Sequence, residues 1–99
     1  MTSQGNSYSR FQRALLTGNL QLVEAAAAEL PTIGLTDALA ILSLLADLED
    51  PRFERAAARW VGRLLVETPA TLSDARYALA LVERLPTCRD ALRELARRR

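Results

Sequence analysis

The residues most suited to binding are four arginines that follow one another at intervals of three, four and four residues. We call this set the Arg row, and it consists of Arg52, Arg55, Arg59 and Arg63. In a helix these positions fall within about 80° of one another around the axis, so the four guanidinium groups share one face. Such a row can bind phosphate oxygens, or it can bind the carboxylates of a partner protein.

Trp60 lies beside the Arg row, and the sequence leaves two roles open for it. Its position on the apolar side of the same predicted helix favours a core residue. A partly exposed indole beside arginines would instead form an Arg–Trp anchor of the kind that interfaces favour, so Trp60 joins the Arg row as a candidate binding residue. Ala58 and Gly62, four residues apart, leave a notch where another backbone can come near.

Three interpretations of the Arg row stay open. It is a solvated face if acids on the same helices form salt bridges with it, and four such acids are present: Glu54, Glu67, Asp90 and Glu94. It is a binding surface if an acidic protein partner supplies the carboxylates instead. It belongs to a nucleic-acid-associated protein or a small transcriptional regulator if further arginines extend it: Arg89, Arg93, Arg97, Arg98 and Arg99.

The sequence argues against catalysis because it contains no histidine and no lysine. The usual general base, Schiff-base amine and imidazole metal ligand are therefore missing. Cys88 is the single cysteine, and without an imidazole partner it is interpreted as a small half-buried thiol. The acids Asp47, Glu49 and Asp50 lack the spacing of a calcium-binding loop and are interpreted as a solvated turn. We expect no enzymatic activity, no cofactor, no metal ion and no small-molecule substrate.

Length and composition predict one globular domain in the cytoplasm. The chain has 99 residues, of which 49% are hydrophobic and 5% aromatic, so a core of closely packed Ala, Leu and Val is expected. A single cysteine suits a reducing compartment. The N-terminal residues are polar, and the apolar run at 38–46 is far shorter than the roughly 20 residues that cross a membrane. We therefore expect a cytoplasmic protein with no membrane partner.

Charge is distributed unevenly along the chain, although the net charge is only +1. Residues 1–50 carry two arginines and six acids, a net charge of −4, whereas residues 51–99 carry eleven arginines and six acids, a net charge of +5. Such asymmetry is typical of a partner surface or of self-association, although two halves of a short chain can also differ by chance. An acidic protein partner or a second copy of the chain is therefore expected.

Residues 36–48 form the helix around which the rest of the chain is organised. Almost every position is apolar, and the narrow polar strip consists of Thr36, Ala40, Ser43 and Asp47. A helix that is apolar nearly all round is expected to have neighbours nearly all round. We therefore expect this helix to be the centre of a small bundle.

Apolar spacing predicts five to six helices and no strand. The expected helices cover residues 9–17, 20–30, 36–48, 51–67, 71–85 and 88–96. Short turns between them predict an all-α fold of stacked antiparallel helical hairpins, a compact and solenoid-like bundle. A weak repeat, L-T-D-A at 35–38 and L-S-D-A at 72–75, agrees with a helical pair as the unit. We expect residues 1–8 to be a disordered N-terminal segment and residues 9–97 to be a single helical domain.

Local signals set the expected helix starts. Ser9 and Gln12 match a capping box for the first helix. Asp50 is the expected N-cap of the fourth helix, with Pro51 at its first position. Two residues could cap the fifth helix: Thr71, as part of a capping box with Asp74, and Ser73.

Two stretches resemble known families. Residues 9–24, with S-R-F-Q-R-A and G-N-L-Q-L-V-E, look locally like the paired helices of an ankyrin repeat, but the T-P-L-H signature is missing and the likeness is interpreted as convergence. The arrangement A-A-A-E-L-P, D-A-L and R-F-E-R-A-A-A-R-W, within residues 10–85, is similar to small uncharacterised all-helical proteins of actinobacteria. That resemblance implies an all-helical fold and a bacterial origin, and it implies no activity.

Overall fold

The computed structural model describes the backbone of residues 3–98 and the side chains of residues 6–98. This part of the chain forms six helices and contains no strand, which confirms the predicted all-α fold class. The helices are α1 (Ser3–Thr17), α2 (Leu20–Ala28), α3 (Leu35–Asp47), α4 (Phe53–Glu67), α5 (Leu72–Val82) and α6 (Arg89–Ala96).

The chain divides into two compact units. The first unit runs up to Gly34 and holds α1 and α2, whereas the second begins at Leu35 and holds α3 to α6. The single domain expected over residues 9–97 and the disorder expected for residues 1–8 stay predictions.

The first unit is a hairpin in which α1 packs against α2. Gly18 takes a left-handed backbone with a φ of 69°, and Asn19 then caps α2 by accepting two backbone N–H groups at 3.0 and 3.3 Å. Helix α1 begins at Ser3, so the start expected at Ser9 is wrong. That serine lies inside the helix, and a serine caps a helix only where the backbone before it is not helical.

The second unit is an up-and-down bundle of four helices. Helix α3 packs against α4 and α6, and α5 also packs against α4 and α6. Because short turns join them, consecutive helices run antiparallel, and the α3–α4 hairpin stacks on the α5–α6 hairpin. The predicted stacking therefore takes the form of a closed ring of helices. One apolar core fills this ring: Leu35, Leu39, Leu42, Ala57, Trp60, Val61, Leu64, Ala78, Leu81, Val82, Leu85, Leu92 and Leu95.

Helix α3 has more buried residues than any other described helix. It packs against two helices, α4 and α6, as every helix of the ring does, so the expectation that it forms the centre of the bundle is wrong. Leu39 is fully buried and Leu42 is 2% exposed. The prediction of a polar strip on this helix is wrong for its two middle residues, because Ala40 and Ser43 are both buried. Burial extends around most of the helix, so small residues on the weakly polar side are covered as well. Only two residues of α3 are exposed: Thr36 and Asp47.

Helices α4 and α5 start differently. Helix α4 begins at Phe53, two residues later than predicted, because the Asp50 carboxylate accepts the backbone N–H of Arg52 at 2.8 Å in a turn that precedes the helix. Helix α5 begins with the expected capping box, in which Thr71 and Asp74 accept each other's backbone N–H groups at 2.9 and 3.2 Å. Thr71 is therefore confirmed as the cap, and the alternative cap two residues later is not used.

Candidate interaction surface

Helix α4 is fixed by its apolar face, which is buried in the bundle at helical spacing: Ala57, Trp60, Val61 and Leu64. The first turn of α3 adds a polar contact, since Nε1–H of Trp60 donates to the Leu35 carbonyl oxygen at 2.9 Å. The opposite side of α4 is exposed. We call its residues the outer face of α4, and they are Arg55, Ala58, Arg59, Gly62, Leu65 and Val66.

Trp60 belongs to the core and not to this outer face. Only 3% of the residue is exposed, and it is a member of the apolar core of the bundle. Its one polar group already has a partner in the Leu35 carbonyl, so nothing draws the indole toward water. The core alternative for Trp60 is confirmed, and the partly exposed Arg–Trp anchor is corrected: the arginines on the outer face have no tryptophan beside them at the surface.

The two ends of the Arg row are held by nearby carboxylates. Arg52 contacts Asp50 through Nε and a terminal nitrogen, both at 3.0 Å. Arg63 contacts Glu67, one turn further along α4, with its Nε 2.6 Å from a carboxylate oxygen. Hydrogen bonds from the arginine side chains lower the pKa of Asp50 and of Glu67 below their ordinary values. Both ends of the row therefore have anionic partners within the folded chain.

The two central arginines of the row, Arg55 and Arg59, have a different environment. Both are exposed, and within residues 3–98 neither of them forms an ion pair. Like charges four residues apart on one helix destabilise that helix by about 0.2–0.5 kcal/mol. The fold therefore gains no stability from placing these two residues together. We call them the basic pair.

The outer face changes from basic to apolar along α4. Ala58 and Gly62 are exposed, and, the helix itself apart, no described atom lies within 4 Å of the position a Cβ would take at Gly62. The notch expected from the sequence is therefore open to solvent. Beyond it, Leu65 is 39% exposed and Val66 is 86% exposed.

The arginines of the C-terminal part do not extend the Arg row as a free basic strip. Three of them lie 3.4, 3.7 and 3.1 Å from a carboxylate oxygen: Arg93 from Asp90, Arg97 from Glu94, and Arg98 from Asp74. Arg89 is half-buried, and its Nε has no hydrogen-bond partner in the part of the chain that the structure describes. Arg99 lies outside the described residues. Three of the five arginines that were expected to extend the row for nucleic-acid binding therefore lie beside acids of this chain.

A second surface of the bundle is acidic. A cleft of about 410 Å³ opens beside the turn between α3 and α4, and eight residues line it: Ala46, Glu49, Asp50, Pro51, Phe53, Glu54, Glu83 and Leu85. We call this set the acidic cleft. Asp50 is bound to Arg52, whereas across the described chain the carboxylates of Glu49, Glu54 and Glu83 form no ion pair. The cleft therefore presents negative charge that the fold does not neutralise.

Sequence reasoning found only part of the acidic cleft. Glu49 and Asp50 were recognised as neighbours because they are consecutive in the chain. Glu83 follows much later and joins them because α5 packs against α4. A helical pattern predicts that Glu83 lies at the end of a helix, but it cannot indicate which turn of the bundle that end will meet.

The described residues show few other sites for binding chemistry. None of their His, Cys, Asp and Glu side chains form a group of three or more that could hold a metal ion. Each described helix is too short or too polar to cross a bilayer. Comparison of the chain with models of protein families, with curated proteins and with solved structures finds no match. The charged surfaces of the bundle are therefore the basis for inferring a function.

Proposed function

We propose that the chain is a non-enzymatic interaction module that binds an acidic protein partner through the outer face of α4. The observation that carries this proposal is the basic pair: Arg55 and Arg59 are exposed, and among the described residues they have no ion-pair partner. Their proximity is unfavourable for the isolated helix, so carboxylates of another molecule are the expected partners. A cytoplasmic setting suits the free thiol of Cys88.

The apolar part of the outer face favours a protein partner over a nucleic acid. Leu65 and Val66 are exposed on the same side of α4 as the basic pair. Protein interfaces combine arginine with apolar contacts around a desolvated centre. Nucleic-acid binding depends instead on many phosphate contacts, and the arginines that could add them are largely bound to acids of this chain.

Affinity capture from a lysate of the source cells, with and without nuclease, tests this proposal. We expect the wild-type chain to retain at least one protein in both conditions and the double variant Arg55→Glu with Arg59→Glu to lose it. The matched control is Arg76→Glu with Arg84→Glu, which makes the same change of charge at exposed arginines outside the outer face. We expect the control to capture the same protein as the wild type.

The two alternative roles predict different results. If the outer face binds nucleic acid, an anisotropy titration with duplex DNA at about 50 mM salt will show binding that the Arg55→Glu, Arg59→Glu variant loses. If the Arg row is only a solvated face, the wild type and both variants will capture the same proteins. Either result would overturn the proposed function.

A further inference from the structure

We infer that the acidic partner is a second copy of this chain, with the basic pair of one copy seated against the acidic cleft of the other. This inference rests on the proposed function and names the partner of the same outer face. The motivation is that one bundle carries both surfaces, each with charge that the described part of the chain leaves without an ion-pair partner. Complementary charges on the two surfaces would neutralise each other between copies.

The acidic cleft offers suitable acceptors for two guanidinium groups. Glu54 lies in the first turn of α4, Glu83 follows the end of α5, and Glu49 lies in the turn after α3. A guanidinium group has five N–H donors in a planar fork and can bind a carboxylate through two hydrogen bonds at once. Three carboxylates around one cleft can therefore receive both Arg55 and Arg59 of a second copy.

The apolar lining of the acidic cleft suits arginine better than a small cation. Phe53 and Leu85 line the cleft together with Ala46. Phe53 is half-buried, so the bundle does not enclose it fully. An arginine side chain can bury its aliphatic stem on such a surface, and its planar head can stack on an aromatic ring.

The positions of the two surfaces on α4 favour a reciprocal contact. Glu54 and Arg55 are consecutive, so their side chains point about 100° apart around the helix axis. Ala58 falls between them on the helix surface, and its small side chain lets another helix come close. Within the described residues, the basic pair forms no ion pair with the cleft of its own chain. A two-fold arrangement of two copies would satisfy both surfaces of each chain at once.

Light scattering on the full chain tests the inference at about 0.01 M and about 1 M salt, where the Debye length falls from about 30 Å to about 3 Å. We expect the wild type to approach twice the mass of one chain at low salt and to return to the single-chain mass at high salt. Two variants are compared with it: Arg55→Glu with Arg59→Glu, and Glu54→Arg with Glu83→Arg. Each variant alone is expected to stay at the single-chain mass, because its two surfaces carry charges of the same sign.

Mixing the two variants provides the decisive measurement. In the mixture, the acidic cleft of the first variant meets the basic pair of the second. The outer face of the first variant, now acidic, also matches the cleft of the second variant, now more basic. We therefore expect an equimolar mixture to recover twice the mass of one chain. Circular dichroism is used to check that both variants are folded, because recovery on mixing requires folded chains.

Several results would overturn the inference. A wild type with the single-chain mass at low salt would do so, as would association that persists in either variant alone or fails to return in the mixture. If the wild type has the single-chain mass but captures another protein through Arg55 and Arg59, the second-copy inference fails and the proposed function stands. If the capture of other proteins does not depend on Arg55 and Arg59 either, the second-copy inference and the proposed function both fail.

Discussion

The hydroxyl of Ser43 is buried in α3 and has no hydrogen-bond partner within the described residues. A buried polar group without a partner costs about 1–3 kcal/mol, and an apolar replacement of similar size avoids that cost. We expect Ser43→Ala to leave the free energy of unfolding unchanged or to raise it by up to about 1 kcal/mol, as measured by urea denaturation.

The exposed Ser73 provides the control for this prediction. Ser73→Ala removes a hydroxyl that already contacts water, so the free energy of unfolding should change by no more than about 0.5 kcal/mol. A loss of more than about 1 kcal/mol in Ser43→Ala would show that its hydroxyl contributes a stabilising bond.

Single residues also show where sequence patterns are informative. The apolar spacing of α4 predicted the buried side of Trp60, because every residue on that line is hydrophobic. The same reasoning failed for Ser43, since one small polar residue on an apolar helix is compatible with either exposure or burial. The partner of the Trp60 indole, the Leu35 carbonyl, could not be predicted, because it depends on how two helices pack.

At the scale of the element, α3 is expected to respond most strongly to truncation of its leucines. Leu42 is 2% exposed and Leu45 is 7% exposed. Replacing either with alanine should lower the free energy of unfolding by about 2–5 kcal/mol, because a cavity replaces buried methyl groups. Leu48→Ala, at a leucine that is 49% exposed just after the helix, is the matched control and should cost much less. Losses under about 1 kcal/mol for both buried sites would contradict the prediction that these leucines stabilise the core.

A capping residue predicted the start of a helix only where the backbone before that residue is not helical. The capping box of Thr71 and Asp74 was predicted because both members are present at the required spacing. Ser9 has the same kind of signal, but the residues before it are helical, so the signal has no effect. Asp50 was predicted as the N-cap of α4 with Pro51 at its first position, and that prediction is wrong: Arg52 directly precedes the helix, and the Asp50 carboxylate binds Arg52 in the turn.

At the scale of the whole molecule, three carboxyls have lowered pKa values in the folded chain. The pKa values of Asp50 and Glu67 are lowered by hydrogen bonds from arginine side chains. The pKa of Asp74 is lowered chiefly by the backbone N–H of Thr71, with further contributions from the Thr71 hydroxyl and the Arg98 guanidinium. Each ionised carboxylate is therefore favoured in the folded chain over the unfolded chain.

We expect stability to fall as the pH drops from about 5 to about 2. A carboxyl with a lowered pKa stabilises the fold above its unfolded pKa, and that contribution is lost as the pH falls through the folded pKa. Urea denaturation at a series of pH values measures the effect. Asp74→Asn should be less stable at neutral pH and should show a shallower decline in acid, because it has lost one of the three groups. Constant stability between about pH 5 and about pH 3 would contradict the prediction.

The distribution of charge along the sequence does not predict which charged surfaces form in the structure. The sequence predicted an acidic first half and a basic second half as complementary partners. In the structure, the basic pair and two of the four acids of the acidic cleft, Glu54 and Glu83, lie in the second half of the chain. Charges counted by sequence position cannot predict this arrangement, because helix packing brings Glu83 beside a turn that precedes α4.

The buried position of Trp60 gives the bundle an intrinsic optical probe. The chain has one tryptophan, and it lies in the core formed by α3 to α6, whereas the hairpin of α1 and α2 has none. Fluorescence emission from Trp60 should therefore shift to longer wavelength only when the bundle opens. Far-ultraviolet circular dichroism instead follows all six helices. Coincident melting curves from the two signals would mean one cooperative transition, and separate curves would mean that the hairpin and the bundle unfold in turn.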